Sequence, residues 1–356
     1  MSQLLYVTAD TISAKSGGGL VTKEESTALQ SLGPCTVWGR DELQHISEKW
    51  KGWLREEEPW IWDDLAYGKL DELDSVPKLT HFYAGTWTKT IARLKSLGSK
   101  VVFTAAAHSI SESLEEHLAL DLPFNYPHLT DPELWAKYVG GYVAADVVVC
   151  PSSYSADVMS SYGCMNVYVI PHGVDMPERV YPMPKKFVVG YMGSYAADKG
   201  VRYLLEAWKR LNWKDAELVL AGRDSRTAWV TDGLIGRFGG GNIRLMGWVD
   251  NISDFYKEIQ CYVQPASTEG FGCEVLEAMA AGRHVICSTG AGAADVVDAA
   301  WRFEAGDVDD LMEKLTLARE ADFSRQVIHE NHYITKNYTW DKIRELYCQL
   351  WRSLLK

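Results

Sequence analysis

The chain has 356 residues, enough for two domains with a core each, and its 47% hydrophobic and 24% charged residues are those of an ordinary globular protein rather than a disordered one. A formal net charge of −12 argues against a surface that coats nucleic acid, and seven scattered cysteines without a Cys-x-x-Cys indicate neither a disulfide framework nor a zinc site. The N-terminal residues lack the charged and apolar regions of a signal peptide, and no apolar run reaches membrane-spanning length, so a cytoplasmic location is expected.

Apolar, β-rich runs alternate with helix-forming stretches along the whole chain, the pattern of α/β domains with largely parallel sheets. The first strand is expected at Leu4 to Thr8, followed by Lys15-Ser16-Gly17-Gly18-Gly19-Leu20 and a helix over Val21 to Leu32. Three consecutive glycines read either as a close backbone approach to a ligand or as a flexible surface turn. Further strands are expected at Thr36 to Trp38, Leu79 to Phe82, Val101 to Thr104, Val147 to Cys150 and Val167 to Ile170. His108 follows the run ending at Ala107 and is placed to hydrogen-bond a hydroxyl or to assist proton movement. Pro171, Pro177, Pro182 and Pro184 mark a connection between two halves.

In the second half, strands are expected at Phe187 to Tyr191, Glu217 to Leu220, Ile243 to Leu245, Tyr262 to Gln264, His284 to Cys287 and Trp301 to Phe303. Lys199 lies in the loop Gly190 to Gly200, ahead of a helix over Val201 to Leu211, where an ammonium group beside a helix N-terminus suits a phosphate. Arg223, just past the next strand, reads equally as a phosphate partner or a solvated cation. The most informative segment runs from Ser267 to Gly282, with Glu269 in a loop after a strand and Glu277 on a short helix that opens near Gly272. Two acids near a helix start can merely satisfy its dipole, but the Gly-Phe-Gly between them and the following Ala-Met-Ala-Ala-Gly favour reading them as a clamp for a sugar nucleotide: hydroxyls on the carboxylates, diphosphate on the backbone N–H groups. The remaining histidines, including His172 and His284, read as structural. A last helix, about Asp341 to Leu355, carries Ile343, Leu346, Tyr347, Leu350, Trp351 and Leu354 on one face.

Several of these segments, in this order, resemble a known family. Ala145 to Ser152, Val169 to Asp175, Lys199-Gly200, Met246-Gly247-Trp248-Val249, Glu269 to Gly282 and Gly290 to Val297 look like the retaining GT-B glycosyltransferases of family 4, with weaker likeness at Gly18-Gly19, His108 and the last helix. The resemblance implies two Rossmann-like domains facing across a cleft: residues 1–172 with the terminal helix 338–356 crossing back, and residues 173–337 binding the donor. It implies that Glu269 and His108 contact the donor sugar and are the catalytic candidates. Glu277 would bind the ribose, Phe271, Gly272 and Cys273 would present backbone amides, and Val249 would lie beside the base. Lys199, helped by Gly18 and Gly19, would hold the diphosphate without a metal or other cofactor.

The implied reaction moves a hexose from a UDP- or GDP-sugar to a hydroxyl acceptor with retained configuration. A non-catalytic sugar-nucleotide binder and a GT-B phosphorylase are the alternatives. The family usually carries an arginine five residues before the lysine; here that residue is Ser194, and of the two candidates Arg223 and Arg202, Arg223 is expected to supply the missing charge. The first domain is expected to choose the acceptor. Trp38, Trp50, Trp53, Trp60, Trp62 and Trp87 are available either for packing or for stacking on a carbohydrate or flat acceptor. Glu56, Glu57, Glu58, Asp63 and Asp64 argue against docking on anionic lipid, so membrane association has no support.

Overall fold

The computed structural model describes residues 3–10, 12, 17–44, 61–105, 109–122, 132–177, 180–223, 226–321 and 325–356. In chain order, the first half holds β1 (Leu4–Thr8), α1 (Gly17–Gln30), β2 (Cys35–Trp38), α2 (Arg40–Gln44), α3 (Ile61–Lys69), β3 (Leu79–Tyr83), α4 (Thr88–Ser96), β4 (Lys100–Thr104), α5 (Ile110–Ala119), α6 (Pro132–Ala144), β5 (Val147–Cys150), α7 (Ser153–Ser161) and β6 (Val167–Val169). The second half continues with β7 (Val188–Met192), α8 (Val201–Leu211), β8 (Glu217–Ala221), α9 (Gly236–Phe238), β9 (Ile243–Gly247), α10 (Ile252–Glu258), β10 (Cys261–Gln264), α11 (Cys273–Ala280), β11 (His284–Ser288), β12 (Arg302–Phe303), α12 (Val308–Glu320), α13 (Arg325–Thr335) and α14 (Trp340–Leu354). All twelve expected strands are present among the described residues, and every pairing between them is parallel.

The chain divides into two compact units, residues 1–107, 125–172 and 340–356, and residues 108–124 and 173–339. Each holds one six-stranded sheet, in the orders β2-β1-β3-β4-β5-β6 and β12-β11-β10-β7-β8-β9. Strands flanked by helices are apolar on both faces, which is why β4, β5, β8, β10 and β11 read as near-continuous apolar runs. In the second sheet, strand order reverses between β7 and β10. Such a reversal splays the connections leaving the two strands and opens a crevice at their C-terminal ends.

Residues 108–124 belong to the second unit, whereas the sequence reading placed them in the first. A buried ion pair explains the difference: Glu116 on α5 accepts from Arg202 Nε on α8 at 3.0 Å, and Tyr203 Oη donates to the same carboxylate. Farther along, Val174 N–H donates to the Tyr338 carbonyl at 2.7 Å, so the second unit keeps the chain up to Thr339. In the first unit, α14 packs Ile343, Tyr347, Cys348 and Trp351 into the core beside β1 and β3. Trp351 Nε1 donates to His81 Nδ1 at 3.1 Å, and the other ring nitrogen of His81 lies 3.1 Å from Glu25 Oε2 and 3.0 Å from Thr104 Oγ1. Because Nδ1 accepts the indole proton, the His81 proton sits on Nε2, facing Glu25. Tyr6 Oη also donates to Glu25, at 2.8 Å, and this polar cluster fixes α14 to the sheet.

The glycine run differs from its expectation. Gly17, Gly18 and Gly19 form the first turn of α1, not a loop before it. A Cβ on Gly18 would come within 2.5 Å of Asp10 Oδ2, so the absent side chain makes room for the carboxylate at the end of β1. Of the six tryptophans, Trp38, Trp62 and Trp87 are buried in the first unit's core, while Trp50, Trp53 and Trp60 lie outside the described residues, as do Glu56, Glu57 and Glu58. The packing reading therefore holds for the three that are described. Among the described residues, no helix is long and apolar enough to cross a membrane.

Candidate functional site

The C-terminal ends of β7 and β10 are joined by contacts that only glycine permits. After β7 the chain turns through Ala197–Lys199 to Gly200, whose φ is +64°; a Cβ there would sit 1.9 Å from the Pro265 carbonyl oxygen. Ser267 N–H donates to the Asp198 carbonyl at 3.0 Å and its hydroxyl to the same oxygen at 3.1 Å. From the other side, Gly290 approaches so closely that a Cβ would lie 2.0 Å from the Ser267 carbonyl oxygen. Three loops, after β7, β10 and β11, are thus laced at main-chain distance.

This lacing aims Glu269. Its N–H donates to the Gly290 carbonyl and its carbonyl accepts from Gly292 N–H, both at 2.9 Å, so the residue is bonded on both sides like a strand position. Its carboxylate forms an ion pair with Lys199 Nζ, and both side chains are about three-quarters buried, at 22% and 26% exposure. Burial pushes against the charge of Lys199, but the carboxylates of Glu269 and Asp198 outweigh it and hold the ammonium above its ordinary pKa.

Gly272, at φ +95°, then turns the chain into α11, and no side chain caps that N-terminus. A Cβ on it would stand only 2.8 Å from Gln264 Nε2. Phe271 is buried, with its carbonyl accepting from Ala293 N–H at 2.7 Å; Cys273 is the first helical residue. Burial pushes the Cys273 thiol well above its ordinary pKa, so it stays neutral. Glu277 is one turn along, where Tyr256 Oη from α10 donates to its carboxylate at 2.8 Å. Burial, opposed by that hydrogen bond, raises the Glu277 pKa.

Val249 follows β9 and is half-buried against the apolar core of the second unit. Arg223 is exposed, its guanidinium 5.1 Å from the centre of the Trp248 ring. Arg202 is committed to Glu116, which removes it as the substitute for the arginine that Ser194 replaces. Gly18 and Gly19 belong to the first unit. His108 lies outside the described residues; the next residue, Ser109, donates its N–H to Thr268 Oγ1 at 2.8 Å, directly before Glu269.

Two residues escaped the sequence reading. Tyr256 is seen only when α10 packs on α11. Glu274, in the first turn of α11, has its pKa raised to about 7 by burial and by the neighbouring charges of Glu277 and Glu269. An acidic first-turn residue is so common at helix starts that nothing in the sequence set it apart.

Residues 186–318 match the family model described as glycosyl transferases group 1. The capsular polysaccharide biosynthesis glycosyltransferase CapM of Staphylococcus aureus is 25% identical over 45% of this chain and 46% of its own length; the chain spans about half the length of the curated relatives it matches. Among solved structures, sucrose-phosphate synthase from Thermosynechococcus elongatus superposes with a TM-score of 0.79 at 16% identity, covering 99% of both chains. HepE of Anabaena, in complex with UDP and glucose, does so with a TM-score of 0.68 at 15% identity, covering 99% of this chain and all of the other. These likenesses show the fold: two Rossmann-like sheets, as in the GT-B glycosyltransferases.

Proposed function

We propose that this group 1 glycosyltransferase moves a hexose from a UDP- or GDP-sugar to a hydroxyl acceptor with retention of the anomeric configuration and without a metal ion. The observation that carries the reading is the Lys199–Glu269 ion pair beside the uncapped N-terminus of α11, at the C-terminal ends of the two strands where the second sheet reverses order. A diphosphate brings negative charge that an ammonium and the positive end of a helix dipole stabilise, and this stabilisation grows as the leaving group departs. Glu269, its backbone fixed on both sides, accepts hydrogen bonds from sugar hydroxyls, and Glu277, oriented by Tyr256, accepts from the ribose. Val249 lies beside the base, and the main chain of Phe271, Gly272 and Cys273 faces the sugar and phosphate. His108, next in sequence to the anchored Ser109, contacts the donor sugar.

In this reading the departing phosphate takes the acceptor proton as the new bond forms on the face the leaving group vacates. Lysine and helix dipole replace a divalent ion in balancing the charge. Arg223 supplies the cation that Ser194 does not. Gly193 N–H donates to the Ala221 carbonyl at 3.2 Å, and a Cβ on Gly222 would lie 2.1 Å from the Gly193 oxygen, so Arg223 leaves β8 directly beside the Ser194 loop.

The test is to incubate the protein and an acceptor panel with UDP- and GDP-sugars in excess EDTA and follow the anomeric proton by NMR. Product of unchanged anomeric configuration is expected. An inverted product, or turnover that appears only when a divalent metal is restored, contradicts the reading.

A further inference from the structure

Resting on the donor site just proposed, we infer that α5 is a strut that aims the Glu269 loop at the donor sugar, and that Glu116 is the positioning residue that fastens it. The helix meets the site at both of its loops. Its cap residue, Ser109, donates its N–H to Thr268 Oγ1 at 2.8 Å, and Thr268 is fully buried directly before Glu269. The body of α5 packs on the Ala197–Lys199 turn, which Gly200 locks against the Pro265 carbonyl. A helix seated on that fixed turn thus carries a hydrogen bond to the loop opposite. Glu116 stands seven residues after Ser109, about 10 Å along the helix axis, so it acts on Thr268 only through α5.

Polar bonds, more than apolar burial, keep α5 in place. The segments that flank it in sequence, 1–107 and 125–172, belong to the first unit, so the covalent chain does not hold it in the second. Leu120 at its end is buried, but the helix itself buries Ser113 and Glu116 and leaves Leu118 66% exposed. The Glu116 carboxylate, 8% exposed, accepts from Arg202 Nε at 3.0 Å and from Tyr203 Oη at 2.5 Å, with Arg202 Nη2 at 2.9 Å. Arg202 Nη2 also donates to Tyr203 Oη, at 2.5 Å, which closes a ring of three side chains. Both partners lie in the first turn of α8, the helix that opens directly after Lys199 and Gly200. A buried, charge-assisted fork of this kind is strong, and removing one partner strands the other. Arg237 adds only a long bond, 3.4 Å, to the Leu120 carbonyl. The nucleotide end of the site has separate supports, since Tyr256 on α10 orients Glu277. Loosening α5 therefore displaces the sugar end and spares the nucleotide end.

The experiment follows nucleoside diphosphate release by the whole chain from a panel of UDP- and GDP-sugars, UDP-glucose and GDP-mannose included, for kcat and KM, and measures free UDP and GDP affinity by calorimetry. Glu116→Ala should lower kcat on the order of ten- to a hundredfold, the cost of misplaced reacting groups, with UDP and GDP affinity unchanged. Glu116→Gln, which keeps an acceptor for Arg202, should recover most of that loss. Thr268→Val cuts the other end of the strut at nearly constant volume and should reproduce the loss of kcat; combined with Glu116→Ala it should add little, because both break one connection. If Glu116→Ala does not fold, Tyr203→Phe, which takes one donor from the carboxylate, should give a smaller fall in kcat at unchanged nucleotide affinity. Unchanged kcat in folded Glu116→Ala or in Tyr203→Phe, a parallel loss of UDP and GDP affinity, or effects that simply multiply in the double variant overturn this inference and leave the donor site standing. A folded wild type that binds neither nucleotide and turns over no sugar nucleotide overturns both.

Discussion

Lys199 and Glu269 are held opposite each other by main-chain contacts rather than by their own reach, because Gly200, Ser267 and Gly290 fix the loops that carry them. Gly200 is the most exposed to test. Any side chain there meets the Pro265 oxygen and must hold φ at +64°, so Gly200→Ala should destabilise the protein by on the order of 1–3 kcal/mol, read as a shift in the denaturant midpoint. Arg223 is the second residue to test. Removing a charge-assisted contact to a diphosphate costs about 1.5–3 kcal/mol, so Arg223→Ala should weaken nucleotide binding at least about tenfold with no change in melting temperature. Unchanged nucleotide affinity in that variant means that Arg223 does not replace the missing cation.

At the scale of elements, the strands were legible because parallel strands covered on both faces are written as short apolar runs, α8 because Gly200 opens an amphipathic stretch, and α11 because Gly272 and Gly282 bracket a small-residue one. The Glu269 to Glu277 segment was legible for the same local reason. What stayed hidden depends on partners distant in sequence. Glu116 and Arg202 are 86 residues apart, so nothing local assigns α5 to the second unit. Gly17 to Gly19 read as a loop because glycine is a poor helix former, and only the Asp10 carboxylate against Gly18 shows why a helix opens on them. Arg283 belongs to this class too. It is fully buried, its counterpart is no carboxylate but the carbonyls of Ala281, Ile259, Pro182 and Tyr181, and burial lowers its pKa to about 10. Through it, the C-terminal ends of α10 and α11 hold the segment 181–183 that leads into β7.

For the molecule as a whole, two units with separate cores and a terminal helix that returns to the first make the ends of the chain interdependent. The Glu25–His81–Trp351 cluster gives this a pH signature. Burial opposes the charge on Glu25, but His81 and the hydroxyls of Tyr347 and Tyr6 outweigh it, leaving its pKa below the ordinary value. A carboxyl depressed in the folded state stabilises above its unfolded pKa, and that contribution is lost as pH falls through the folded pKa. Glu25→Gln should therefore melt at lower temperature than wild type at neutral pH, with the gap narrowing in acid; a gap independent of pH means that the charge of Glu25 does not secure α14. The proposed function places catalysis at the second unit's strand ends, and one assay tests that proposal directly. Release of nucleoside diphosphate from UDP- and GDP-sugars should be measurable for wild type in excess EDTA and should fall at least about a hundredfold in a folded Glu269→Ala variant. No release from any sugar nucleotide by folded wild type, or release that is undiminished without the Glu269 carboxylate, would contradict it.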